Sequence, residues 1–209
     1  IGLEDELTIH EAKFVLGAEN APSSSTIDVR DEANAIAFGV DESFVSTLGS
    51  VHAENATIEQ AGQFIETGYV NTISLLSGTP LNALTVREAE VVTSDKIVPA
   101  QNGFDPAASG FRIVDSLPNI TVASPDLLGA AEEYVVDSGI AATLTLSEAM
   151  LWTSSQGYVS PDQGGDDFSI VDTASKIVEL ASGAGTSQAA RLTMGDAVSV
   201  TATGGVVTV

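Results

Sequence analysis

No cysteine occurs in the 209 residues, which excludes disulfides, cysteine-held zinc and cysteine nucleophiles. Basic residues are scarce: 7 Lys and Arg stand against 29 Asp and Glu, giving a formal charge of −22. Phosphate backbones are held by clustered Lys and Arg. The seven here (Lys13, Arg30, Arg87, Lys96, Arg112, Lys176 and Arg191) are spread along the chain. Nucleic acid, anionic membrane surfaces and acidic substrates are therefore excluded as expected partners. The acidic excess favours solubility and admits divalent cations. Aromatic residues make up only 5% and Trp152 is the single tryptophan, so the core is aliphatic and aromatic platforms for sugars are lacking. No apolar run approaches the roughly 18 residues of a membrane span, so no membrane insertion is expected. The chain has no G-x-S-x-G elbow, no dinucleotide-binding glycine fingerprint and no P-loop.

What the chain does contain is repetition. LTIHEA (7–12), LTVREA (84–89), LTLSEA (144–149) and LTMGDA (192–197) are copies of one motif, and ATIEQA (56–61) is a looser one. Thr-x-x-Glu is a capping box: the threonine hydroxyl accepts from the backbone N–H three residues on, and the carboxylate accepts from the threonine N–H. The pairs are Thr8 with Glu11, Thr57 with Gln60, Thr85 with Glu88, Thr145 with Glu148 and Thr193 with Asp196, the last weakened by its shorter acid. Each motif is followed by apolar residues at helical spacing, among them Val15, Phe64, Val92, Trp152 and Val200. That pattern predicts five short amphipathic helices with narrow buried stripes.

A second motif alternates with the first: IDVRDEANAI (27–36), FRIVDSLPNI (111–120) and FSIVDTASKI (168–177). Each begins with period-two apolar residues, as a short strand does. Each continues through Asp31, Asp115 or Asp172, expected to be the next N-cap, into helical spacing. Pro118 fits because it falls in the first turn. One second motif is missing between 56 and 84. Further short strands are expected at Val51–Ala53, at Tyr134–Val136 and in the apolar C-terminal run. The halves recur about every 25 residues, a period typical of stacked arrays. The expected fold is thus an α/β repeat over 1–209: a single, elongated, solenoid-like stack of short strands and capped helices, with a compact α/β domain as the alternative. The start at Ile1 and the end in TVTATGGVVTV are read as those of a fragment or processed piece of a longer chain.

The stretch YVVDSGIAATLTLSEAMLW, followed after a glycine-rich gap by FSIVDTASKIVEL, resembles repeats of very large secreted bacterial proteins. In those, LT-φ-x-[EQ]-A segments alternate with Y-[ST]-I-x-D-T-A segments, φ being apolar. Such proteins are often classed as hemolysin-type calcium-binding, or RTX-like, and many leave the cell by type I secretion. The resemblance covers 134–180 and 192–200 best and is looser over 7–92. It implies an extracellular or cell-surface location and a scaffold or adhesin role. The calcium nonapeptide GGxGxDxφx of RTX rolls does not occur in this sequence.

Candidate sites are few. Asp162, Asp166 and Asp167 surround two glycines in DQGGDD and could supply part of the six to eight oxygens that calcium takes. The spacing is not that of an EF-hand, and the plain alternative is an exposed acidic turn. His52 with Glu54 has the chemistry of a metal pair, but His10 and His52 are both expected on the surface. Trp152 is expected in the core. The function these features support is non-enzymatic. It is a structural module of a filament, surface layer or adhesin stalk, with self-association or contact with neighbouring repeats. A calcium-dependent module meeting a carbohydrate or cell surface is the alternative, and a polysaccharide-degrading enzyme on a repeat scaffold is the least favoured.

Overall fold

The computed structural model describes residues 6–39, 41–137, 143–160 and 163–204. The chain divides into two compact units, Ile1–Phe111 and Arg112–Val209. Unit 1 runs α1 (Ile9–Leu16), a 3-10 turn (Ser24–Thr26), β1 (Asp28–Glu32), α2 (Ala33–Gly39), α3 (Glu42–Val45), β2 (Ser50–Ala56), α4 (Ile58–Thr67), β3 (Thr72–Leu75), α5 (Val86–Val92) and α6 (Pro106–Ser109). Unit 2 runs β4 (Arg112–Asp115), α7 (Leu117–Val122), α8 (Pro125–Ala130), β5 (Glu133–Val136), β6 (Thr143–Leu144), α9 (Leu146–Ser154), β7 (Ser169–Thr173), α10 (Ala174–Ser182), α11 (Ser187–Asp196) and β8 (Ser199–Thr203). The expected α/β class is what the structure has, as small parallel sheets, and each unit is compact.

Strand order follows chain order. In unit 1 the sheet is β1-β2-β3, extended by single bridges from Leu7 to Val29 and from Ile73 to Ile97. Every pairing is parallel, so each strand is reached from its neighbour by a crossover, which the short helices help to form. Asp28 pairs with Ser50 and His52 with Thr72; each step along the sheet uses one motif length. Unit 2 holds two sheets, β4-β5 and β6-β7-β8, in which Ile113 pairs with Tyr134, Leu144 with Ile170 and Ile170 with Val200. β3 stands where the missing second motif was noted: its strand is present, and no helix forms between it and Leu84.

Four capping boxes form in full, at Thr8, Thr57, Thr85 and Thr145. Each contributes about 1 kcal/mol to its helix. The stripe alanines Ala12, Ala61, Ala89 and Ala149 are wholly buried, with Phe64, Val92 and Trp152 nearly so. Trp152 packs edge-on against Tyr158 and Phe168, with ring centroids 5.2 and 5.1 Å away, the core position expected of it. Pro118 lies in the first turn of α7, again as expected.

The fifth box does not form. Thr193 lies inside α11, buried, and its hydroxyl meets Thr153 Oγ1 at 2.8 Å. Asp196 Oδ2 accepts instead from the Tyr158 hydroxyl at 2.7 Å. The helix starts six residues earlier than Thr193, at Ser187, with Thr186 as its N-cap, so this copy of the motif ends a helix where the others begin one.

The aspartates of the second motif are also not N-caps of the helices that follow them. Ser116 and Thr173 hold that position for α7 and α10. Asp31 Oδ2 accepts from Ile9 N at 3.0 Å and Asp172 Oδ2 from Leu146 N at 3.1 Å. Each aspartate thereby satisfies the first helical N–H of the capped helix belonging to the preceding motif. Its other oxygen accepts from the next backbone N–H, that of Glu32 or Thr173. The two motifs are therefore parts of one clamp: the box fills two of the orphan donors at the helix start and the aspartate of the neighbouring strand fills a third.

Candidate functional site: a polar ladder and an open groove

Register sets the first site. Arg30 pairs with His52 and His52 with Thr72, so the three side chains share one face of the unit 1 sheet, and Glu54 and Ser74 join them two residues on. The opposite face carries Val29, Val51, Ala53 and Ile73, all buried. His52 lies between hydroxyls, with Nδ1 2.7 Å from Thr72 Oγ1 and Nε2 2.7 Å from Ser74 Oγ. Arg30 reaches Glu6 through Nε and Glu54 through Nη1 at 3.0 Å. Lys96, next to the Ile73–Ile97 bridge, donates from Nζ to Val70 O at 2.9 Å.

Electrostatics follow from this packing. Burial, then the nearby Arg30 charge, lowers the His52 pKa against a smaller pull upward from Glu54 and Glu6. The hydrogen bond from Arg30 holds the Glu6 carboxyl below its usual range. His52 is 5% exposed and Ser74 2%. The expected surface position of His52 is thus corrected: register buries it, and hydroxyls satisfy both ring nitrogens. Its Ser74 contact has the form of a nucleophile–base pair, but no carboxylate orients the ring and the serine is covered. Glu54 is committed to Arg30, not to a metal pair with His52. What the ladder does is hold three parallel strands in register through directional polar contacts. Alternation carried a signal for it: DVR, VHAE and TISL each place polar residues on the face opposite the apolar ones.

The DQGGDD turn is only partly described. Asp162 lies outside the described residues; Asp166 and Asp167 are exposed. The glycines are there for the chain path. Gly164 has φ +87°, and a Cβ on Gly165 would lie 1.8 Å from Val159 O. His10 is exposed in the first turn of α1. Among the described residues no cluster of three or more His, Asp or Glu is placed to hold a metal, and no helix is long and apolar enough to cross a membrane.

A groove of about 680 Å³ runs along α1, lined by Leu7, His10, Glu11, Phe14, Val15, Asn20 and Pro22. Phe14 is 82% exposed. Sequence pattern alone did not single it out, because Phe14 lies off the buried stripe of Ile9 and Ala12.

Compared with protein-family models, with curated proteins and with solved structures, the chain matches none of them.

Proposed function

We propose that this chain is a non-enzymatic structural module of a secreted or cell-surface bacterial protein, a unit of a filament, surface layer or adhesin stalk. In it, strand–helix repeats stack in a solenoid-like manner and self-associate. The observation that carries the proposal is the sheet order of unit 1. Parallel strands β1, β2 and β3 follow one another in chain order, one motif apart, and parallel bridges at Leu7 and Ile97 continue that order at both sides. Each is followed by capped or apolar-striped helix, or by a turn. Such an arrangement extends by adding another unit, and it leaves unpaired strand edges at its ends. The acidic, cysteine-free composition and the resemblance to secreted repeat proteins agree with an extracellular setting.

Light scattering and negative-stain images of the purified chain, taken with millimolar calcium and with chelator, test this. Ordered, concentration-dependent polymers are expected. Their loss with chelator would make calcium part of the contact and favour the calcium-dependent adhesion module. A monomer at every concentration, with or without calcium, would remove self-association from the proposal.

A further inference from the structure

Helix α5 shows what packs on the groove face of a first-motif helix. Counting from the capping threonine, the groove of α1 is lined by positions +2, +3 and +6: His10, Glu11 and Phe14. The same positions of α5, Arg87, Glu88 and Val91, line its junction with α4. There Val91 Cγ2 lies 3.4 Å from where a Cβ on Gly62 would be, and Arg87 pairs with Glu66 of α4. In α5 this face is covered by a helix with a small residue at the contact. In α1 the same face leaves Phe14 exposed, and among the described residues no strand pairs with Leu7 on the side away from Val29.

Unit 2 carries a matching end. β8 is the edge of its sheet, with all five residues exposed, and its sequence SVTAT has neither charge nor proline to guard that edge. Before it in the chain, α11 turns Gln188, Arg191, Leu192 and Gly195 away from its buried Ala190 and Thr193. Leu192 is 65% exposed. Arg191 is exposed, and among the described residues it forms no ion pair, in a chain with four acids for each base. Before and on α1 stand two exposed carboxylates, Glu6, which Arg30 also reaches, and Glu11, whose Oε2 serves the capping box.

We infer that the groove of α1 and the outer side of Leu7 receive the α11–β8 end of a second copy of this chain. Leu192 then lies against Phe14, Gly195 permits close approach of the helices, and Arg191 faces the Glu6 and Glu11 carboxylates. The contact joins two different surfaces, so it is heterologous, and each added copy leaves a free end of each kind. The inference rests on the self-association proposed above and names its surfaces.

The test uses the full chain and the variants Phe14→Glu and Leu192→Glu. Both positions are exposed, so the folds stay intact, and Phe38→Glu, at an equally exposed phenylalanine, is the control. Each end variant is expected to raise the concentration needed for polymers at least tenfold, and the control to leave it unchanged. An equimolar mixture of F14E and L192E retains one good tail and one good head, so sedimentation is expected to find a 1:1 dimer and nothing longer. If the wild type polymerises and both end variants do so equally well, the surfaces are wrong while self-association stands. If the wild type remains a monomer, both fall.

Discussion

At the scale of single residues, His52 is the group whose titration the fold opposes. Its folded pKa is lowered, by burial first, from an unfolded value of about 6.5. The sign follows directly: the neutral ring stabilises unit 1 fully above about pH 6.5, and that contribution is lost as pH falls through the folded pKa, because the unfolded chain binds the proton more readily. Urea midpoints of the wild type should fall between pH 7 and pH 5, with a slope limited to about 1.4 kcal/mol per pH unit for one proton. Glu6, whose pKa is also lowered, loses its contribution only below the ordinary carboxylate range, outside this window. His52→Gln should cost about 1–3 kcal/mol at pH 8 by leaving a buried hydroxyl unsatisfied, yet flatten the slope between pH 7 and pH 5. Equal slopes in the two proteins would place the titration elsewhere. The polarity of this face was visible in the alternation of three strands, but the burial of His52 was not. It depends on Thr72 and Ser74, 20 and 22 residues away, and no local pattern fixes that register.

Helices and strands here are joined by the carboxylates between them. The four Thr-x-x-Glu or Gln boxes were legible because a cap is local: four residues carry the whole geometry. The role of Asp31 and Asp172 was not, because their second partners are the first N–H groups of helices 22 and 26 residues away. The same locality misled at Thr193, where the four-residue pattern is present but the helix had already started at Ser187. Because both oxygens of Asp31 accept from backbone N–H groups, asparagine cannot replace it: its amide nitrogen would meet one of the donors. Asp31→Asn should therefore destabilise unit 1 by about 1–2 kcal/mol, nearly as much as Asp31→Ala and at least as much as Thr8→Ala. Amide exchange at Ile9 should quicken in both Asp31 variants. Unchanged exchange at Ile9 with wild-type stability in Asp31→Asn would show that the clamp contributes nothing beyond the box.

For the molecule as a whole, association has to overcome charge. Each copy carries −22, so two copies repel over the Debye length, about 30 Å at 0.01 M salt and 10 Å at 0.1 M. The surfaces inferred to meet are the ones least affected: β8 has no charged residue, and the α1 groove is centred on Phe14. Short-range apolar contact and strand pairing survive added salt, while long-range repulsion does not. The concentration at which polymers appear should accordingly fall several-fold as sodium chloride rises from about 0.01 to 0.15 M, the range over which screening tightens most. Calcium at matched ionic strength should give the same threshold if screening is its only effect. A lower threshold in calcium than in sodium would mean that carboxylates of neighbouring copies share the ion, with the exposed Asp166 and Asp167 turn as the first place to substitute. A threshold that rises with sodium chloride would mean that attraction between opposite charges, such as Arg191 with Glu6 and Glu11, outweighs the repulsion of the whole. The Phe14–Leu192 contact would then be secondary to that pair.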